Sequence, residues 1–408
     1  MKKFFALVLS LILILSLTAC GGSDSSTDSA PDSGASSADP AAKTEIVYGK
    51  SQGPYTELFE AAIVPILEEQ GYTLKGVDFS DLLTADIAGL LGVEPAGIIY
   101  TSGASESNNL AIKGIAQASR NTGRHMISTV LEHASVGGTL TALQQQGWEV
   151  DLLDIQRDGT IDLEQLGDLL RKDTILVSVC AVDSELGTVQ PIRQITEILK
   201  DFPNCRLHVD ATQAIGKTEL VMDGVDTMSI APHKFYGLNG SGLLLKKSSV
   251  IIEPQIHGGS STTLYRSGTP ALALAVSIEK ALQLTLTQQE ERIRYVRQLN
   301  EYLKTALLHY PSVRINSPEG AVPHILNLSV QGLKGTVFQR VLSERGVCVS
   351  VKSACSAEGT PSKAVFAVSG DRKNALSSWR VSLSHLTTRE ELDEFLQVFD
   401  QCYKELGP

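Results

Sequence analysis

Lys234 stands in Ala231-Pro232-His233-Lys234-Phe235-Tyr236-Gly237, downstream of a segment that reads as a strand ending at Asp210 (Arg206-Leu207-His208-Val209-Asp210). A lysine can form a Schiff base with a carbonyl, and an upstream acid can pair with a pyridinium nitrogen. Pyridoxal phosphate asks a protein for that pair of groups. Gly103-Ala104-Ser105 falls between an apolar run and a helical pattern. Backbone N–H groups at a helix start, with a hydroxyl beside them, make a phosphate site, although small residues there also serve as plain caps. Cys355 lies in the small-residue run Ser353-Ala354-Cys355-Ser356-Ala357, a composition that predicts a mobile loop carrying a thiol. Cys348, in an apolar run, reads instead as a buried structural thiol.

The elements that must position these groups alternate regularly from Thr84 onward. Apolar runs at 97–100, 125–128, 150–153, 175–179 and 207–209 are separated by helical stretches. That pattern predicts an α/β fold with a mostly parallel central sheet covered on both faces. The helix opening near Glu106 buries Leu110, Ala111, Ile115 and Ala118 at helical spacing. A long amphipathic stretch with Ile293, Val296, Asn300, Leu303 and Leu307 on one stripe leads into a smaller C-terminal α/β domain that contains the apolar run 325–329.

Ordered segments in this body resemble the class V aminotransferase superfamily and, within it, the cysteine desulfurases. They are Thr101-Ser102-Gly103-Ala104-Ser105-Glu106-Ser107-Asn108-Asn109, Glu132-His133, His208-Val209-Asp210-Ala211-Thr212-Gln213, His233-Lys234-Phe235-Tyr236-Gly237, Arg266-Ser267-Gly268-Thr269 and Ser353-Ala354-Cys355-Ser356. The resemblance implies the fold type I of pyridoxal-phosphate-dependent transferases, a pyridoxal 5′-phosphate cofactor and a homodimer. It also implies conversion of L-cysteine to L-alanine, with sulfur held as a persulfide on Cys355 for an acceptor protein that the sequence does not identify. Carried over residue by residue, Ala104 and Ser105 contact the phosphate and His133 stacks on the ring. Asp210 pairs with the ring nitrogen, Gln213 contacts the ring hydroxyl, and His233 and Lys234 belong to the cofactor-binding segment. Thr269 reaches the phosphate across the dimer, and Arg380 clamps the substrate carboxylate. Lys234, Cys355 and His133 are then the catalytic set.

The chain departs from the family pattern at several points. Asp183-Ser184-Glu185 replaces Asn-Asn-Glu, which puts Ser184 where an amide is expected beside the cofactor. Ala231 takes the place of a phosphate-binding serine, Gly258-Gly259-Ser260-Ser261-Thr262-Thr263 stands for a Gly-Gly-Gly-Gln-Glu-Arg run, and Lys352 replaces a glycine. The family's opening segment, with its Ala-Thr-Thr strand and Gly-Asn-Pro turn, has no counterpart. Weaker cofactor retention is the expected consequence.

The beginning reads differently. Lys2-Lys3, an apolar run from Phe4 to Leu17 and Leu17-Thr18-Ala19-Cys20 form an export signal over residues 1–20, too short for a membrane span. Its end resembles the lipobox of bacterial lipoproteins, which implies lipidation of Cys20 and anchoring to the outer face of the cell membrane. Residues 21–43 read as a flexible linker. Residues 44–82 contain a strand, a helix over Tyr55–Gln70 and a second strand, and resemble the start of methionine-uptake solute-binding lipoproteins. The boundaries that follow are a cofactor-binding domain over 83–255 and a small domain with the cysteine loop over 256–408. The net charge of −11, with no basic cluster, argues against nucleic-acid binding. The six cysteines show no paired spacing, which gives no support to a metal site or a disulfide framework. Alternative readings are another class V enzyme on the same cofactor and a weakly active or inactive fusion anchored as a lipoprotein.

Overall fold

The computed structural model describes residues 45–50, 54–259, 263–352 and 359–407. The chain divides into two units, one containing Leu58–Lys75 and the other Val47–Glu57 and everything from Gly76 onward. Strands β1 (Glu45–Lys50) and β2 (Thr73–Asp78) pair as a two-stranded sheet. The helix expected over Tyr55–Gln70 is two helices, α1 (Pro54–Ala62) and α2 (Val64–Glu69). Pro65 in the first turn of α2 has no N–H to extend the preceding ladder, so the chain restarts after Ile63.

In the larger unit, α3 (Phe79–Leu91) turns Leu83, Ile87, Ala88 and Leu91 inward at helical spacing. The strands that follow are β3 (Ile98–Thr101), β4 (His125–Thr129), β5 (Glu149–Leu153), β6 (Thr174–Cys180), β7 (Arg206–Asp210), β8 (Thr227–Ile230) and β9 (Gly242–Lys246). They form one sheet in the order β3-β9-β8-β7-β6-β4-β5, in which β9 alone runs against its neighbours. Helices α4 (Ala104–Ala118), α5 (Ala134–Gln144), α6 (Leu163–Leu169) and α7 (Ile192–Leu199) connect successive strands.

Both faces of this sheet are covered, so its strands are apolar throughout and successive residues enter different cores. Ile99, Met126, Leu176 and Leu244 pack with α4 and α5. Their neighbours Ile98, Ile127, Val177 and Leu243 pack on the opposite side with α3, α7 and α8 (Leu272–Thr287). Ala118 at the end of α4 is only half-buried, because the helix ends there at Ser119.

A second core begins with α9 (Gln289–Leu307), which buries Val296, Leu299, Asn300, Leu303 and Leu307. It faces an antiparallel sheet of β10 (Val313–Ile315), β11 (Ile325–Val330) and β12 (Ser378–Ser382). Helix α10 (Gly335–Ser343) follows β11, α11 (Lys363–Ser369) and α12 (Arg372–Ser377) precede β12, and α13 (Arg389–Leu406) closes the chain behind a Thr388–Glu391 capping box. Phe338, Trp379 and Phe399 meet at the centre, with Phe338 stacked on Trp379 at 5.5 Å.

Cys348 is exposed, contrary to its expected burial. The chain around it is extended, so side chains alternate: Val347, Val349 and Val351 pack on the small-domain core and leave Cys348 and Ser350 on the other side. No helix among the described residues is long and apolar enough to cross a membrane.

One close approach fixes the start of α4. Thr101 and Gly242 are paired across β3 and β9, and a Cβ on Gly242 would lie 2.6 Å from the backbone of Gly103. Gly242→Ala is therefore expected to destabilise the fold by about 1–3 kcal/mol through overpacking. Urea unfolding checks this, and an unchanged midpoint would contradict the contact.

Candidate functional site

Every parallel strand except β5 ends at one cavity of about 600 Å³. Residues 102–106 follow β3, His133 follows β4, Cys180 ends β6, Asp210 ends β7, and Ala231, His233 and Lys234 follow β8. The C-terminal edge of an open parallel sheet is where such folds place ligands, because the strand ends and helix starts open there together. Ser350, and Arg380 of β12, complete the wall.

Asp210 is 5% exposed and its carboxylate has fixed partners. The backbone N–H of Thr212 donates to Oδ1 at 2.9 Å, and Asn108 Nδ2 donates to Oδ2 at 2.8 Å. Lys234 ends a single 3-10 turn, Pro232–Lys234, and its side chain is open to the cavity. Burial, with Lys234 adding its positive charge, lowers the pKa of the neighbouring His233. At the opposite side, α4 begins after Gly103 with no side-chain cap on the N–H groups of its first turn, and residues 102–106 line the cavity. Glu106 draws Ser102 N–H and Arg266 into this turn at 2.7 and 2.9 Å, which holds the loop in place.

Arg380 sits on β12 with Nη1 donating to the Ser184 carbonyl at 2.5 Å, while its Nε is buried with no partner. Burial lowers its pKa, and the carboxylates of Glu185 and Asp183 oppose that shift. Asp183 is itself buried, which pushes its carboxyl up to about 7, while its Oδ2 accepts from the N–H groups of Leu186 and Glu185. Gln213 receives Lys217 Nζ on its Oε1 at 2.6 Å, leaving its Nε2 hydrogens for another partner. Burial, then the positive charges of Lys234 and Arg380, bring Lys217 down to about 7.

The structure brings Ala104, Ser105, His133, Ser184, Asp210, Gln213, His233, Lys234 and Arg380 into this one cavity. Thr269 lies elsewhere, in a smaller cleft beside it with Ser102, Gly240 and Arg266. Cys355 and Cys20 fall outside the described residues. Sequence reasoning overlooked Asn108, Glu132 and Lys217 as site residues. Asn108 and Glu132 stand inside the motifs already quoted, and the contacts of Asn108 with Asp210 and of Glu132 with Cys180 show only once the strands are assembled.

These residues fit pyridoxal phosphate. A buried carboxylate, a lysine open to the same cavity and a helix start with unclaimed N–H groups are the three anchors the cofactor requires. Thr212 Oγ1 and Arg380 Nε, both buried and unpartnered on the cavity wall, remain for a polar ligand. The aminotransferase class-V family model matches residues 81–395, and the chain belongs to that family. It is 39% identical over 324 residues to a NifS/IcsS protein homolog of Lactobacillus delbrueckii subsp. bulgaricus, covering 78% of this chain and 84% of that one. It is 35% identical over 325 residues to the cysteine desulfurase IscS of Dictyoglomus turgidum, with 78% and 82% covered. A solved NifS-like protein superposes with a TM-score of 0.75 at 32% identity, covering 80% of this chain and 87% of that one. The protein is a pyridoxal-phosphate-dependent transferase of the mostly parallel α/β type.

Glu132, next to His133, turns its carboxyl inward. Oε1 accepts from Cys180 N–H at 2.8 Å and from Thr129 Oγ1 at 2.9 Å, and Oε2 has neither partner nor solvent. Burial, reinforced by the charge of Asp210, raises this acid from 4.5 to about 8. Between those values the native state holds a proton that the unfolded chain has released, so stability falls as pH rises. Glu132→Gln keeps the shape of the neutral acid and does not titrate. The variant should gain stability relative to wild type from pH 4.5 to 8, as read by urea unfolding at stepped pH. Parallel pH profiles would contradict the assignment.

Proposed function

We propose that the protein is a cysteine desulfurase, converting L-cysteine to L-alanine and carrying the sulfur as a persulfide on Cys355. The observation that carries this reading is one cavity holding Asp210, Lys234 and Arg380, in a chain similar along most of its length to cysteine desulfurases. Pyridoxal phosphate, when bound, supplies an electron sink for negative charge at the substrate Cα. Asp210 holds a positive charge on the ring nitrogen. The N-terminal turn of α4, with Ala104 and Ser105, binds the phosphate, and His133 covers the ring. Arg380 orients the substrate by a charge-assisted grip on its carboxylate, which its buried Nε is available to make. Lys234 moves the Cα proton at Nζ. The Cys355 thiolate bonds to the substrate sulfur as the substrate C–S bond breaks.

Ala231 and Ser184 offer the phosphate and ring fewer polar contacts than the serine and amide of the family pattern. The same cavity could serve another class V reaction, and release of sulfide from cysteine separates the two. We also propose a homodimer. Leu264, Leu238 and Leu272 are 78%, 57% and 39% exposed, and Thr269 stands in the cleft beside the phosphate-binding turn. The persulfide sulfur then passes to an acceptor protein. Lys2-Lys3, the apolar run to Leu17 and Cys20 support export, with lipidation of Cys20 and the linker over 21–43 tethering the enzyme outside the membrane.

Lys234→Ala is expected to abolish the visible absorbance that the purified protein gains from pyridoxal phosphate. Cys355→Ser should keep that band and lose sulfide release from cysteine. A band that survives Lys234→Ala, or persulfide carried on exposed Cys348, would contradict the assigned roles. Light scattering of the mature chain should give twice the monomer mass, and a monomer holding the cofactor would contradict the dimer.

A further inference from the structure

Beside the cavity runs a line of buried and half-buried hydrogen bonds that the reaction itself does not use. Asn108, on α4, is fully buried and touches three groups. Its Nδ2 donates to Asp210 Oδ2 at 2.8 Å and to Ser135 Oγ at 2.9 Å. Its Oδ1 lies 3.0 Å from His208 Nε2, and His208 Nδ1 lies 2.9 Å from Thr227 Oγ1. Ser135 in turn meets His133: its backbone N–H donates to Nδ1 at 3.1 Å, and its Oγ lies 2.9 Å from the same nitrogen.

The direction of every link follows from chemistry. A carboxylate only accepts, so the amide nitrogen of Asn108 must face Asp210, and its oxygen must face His208. His208 then carries its proton on Nε2, and Nδ1 accepts from the Thr227 hydroxyl. Full burial drives the His208 pKa down to about 4, which keeps the ring neutral in this arrangement. The second Asn108 hydrogen occupies one lone pair of Ser135 Oγ, so the serine proton is free to turn toward His133 Nδ1. That nitrogen, already accepting from Ser135 N–H, cannot carry a proton of its own.

We infer that Asn108 is a positioning residue whose single amide holds Asp210 as an oriented acceptor and, through the Ser135 hydroxyl, ties it to His133, whose Nδ1 accepts from Ser135 and whose proton is therefore on Nε2. One rigid fork spans β7 and the turn into α5, and the fork is held from behind by His208 on β7 and Thr227 on β8. Asp210 and His133 come from different strands, and this line of contacts joins them without passing through the cavity. The inference rests on the pyridoxal-phosphate reading for its consequence but not for its geometry.

Two measurements test it. In protein without cofactor, ¹⁵N spectra of the histidine rings, assigned with His133→Gln, should show His133 protonated at Nε2. Protonation at Nδ1 would overturn the inference whether or not the cofactor binds. Asn108→Leu has nearly the same size but offers no donor, so Asp210 Oδ2 loses its partner. The variant should match wild-type circular dichroism and bind pyridoxal phosphate at least about 10-fold more weakly. Should it fail to fold, Asn108→Ser, which admits water at the amide site, is measured in its place. Wild-type affinity in either variant overturns the inference. Wild-type protein that gains no visible band from pyridoxal phosphate would refute the cofactor reading instead, with the tautomer result still standing.

Discussion

The Asp210 carboxylate, stripped of water at the end of β7, is the constraint around which the rest of the site is arranged. A buried carboxylate without donors would be strongly unfavourable. Here Thr212 N–H and Asn108 Nδ2 supply them, one from its own turn and one from α4. Those donors hold the carboxylate in a fixed direction and leave it able to face a cation. In the proposed function the residue is half of an ion pair whose other half would be the pyridinium of the cofactor. This demand accounts for the polar interior between α4 and β7, where a packed α/β protein would otherwise be apolar.

The sheet supplies the geometry that one carboxylate cannot. Because β3, β4, β6, β7 and β8 all run the same way, their ends converge on one side, and each contributes a short turn. The antiparallel β9 brings Gly242 against Gly103, so the turn that opens α4 is pinned by backbone contact as well as by Glu106. Strand β12 adds Arg380, tied to the Ser184 carbonyl. The wall of the one cavity therefore draws on two different cores.

Much of this was legible in the residues. The apolar runs gave five of the seven strands of the large sheet to within a residue or two, because a sheet buried on both faces writes itself as unbroken hydrophobic stretches. Strands β8 and β9 were missed: Thr227-Met228-Ser229-Ile230 is short and half polar, and Gly242 opens β9 with a glycine. The apolar run at Cys348 suggested burial, but its alternation puts the valines inward and the thiol outward. Lys234, Asp210 and Arg380 stand in recognisable segments and share the cavity. The role of Asn108 depends on partners brought near by folding, and the depressed pKa of Lys217 on its burial and on the charges of Lys234 and Arg380. Chain separations of 102 residues, as between Asn108 and Asp210, leave no local pattern to read.

The most direct test of the account is to follow both products of one substrate. Protein loaded with pyridoxal phosphate is given L-cysteine labelled with heavy sulfur, alanine is quantified, and the peptide bearing Cys355 is weighed. The account predicts alanine together with a heavy-sulfur adduct on Cys355, in equal amounts during a single turnover without reductant. Loss of the cysteine amino group with no alanine, or alanine with Cys355 unmodified, would contradict it.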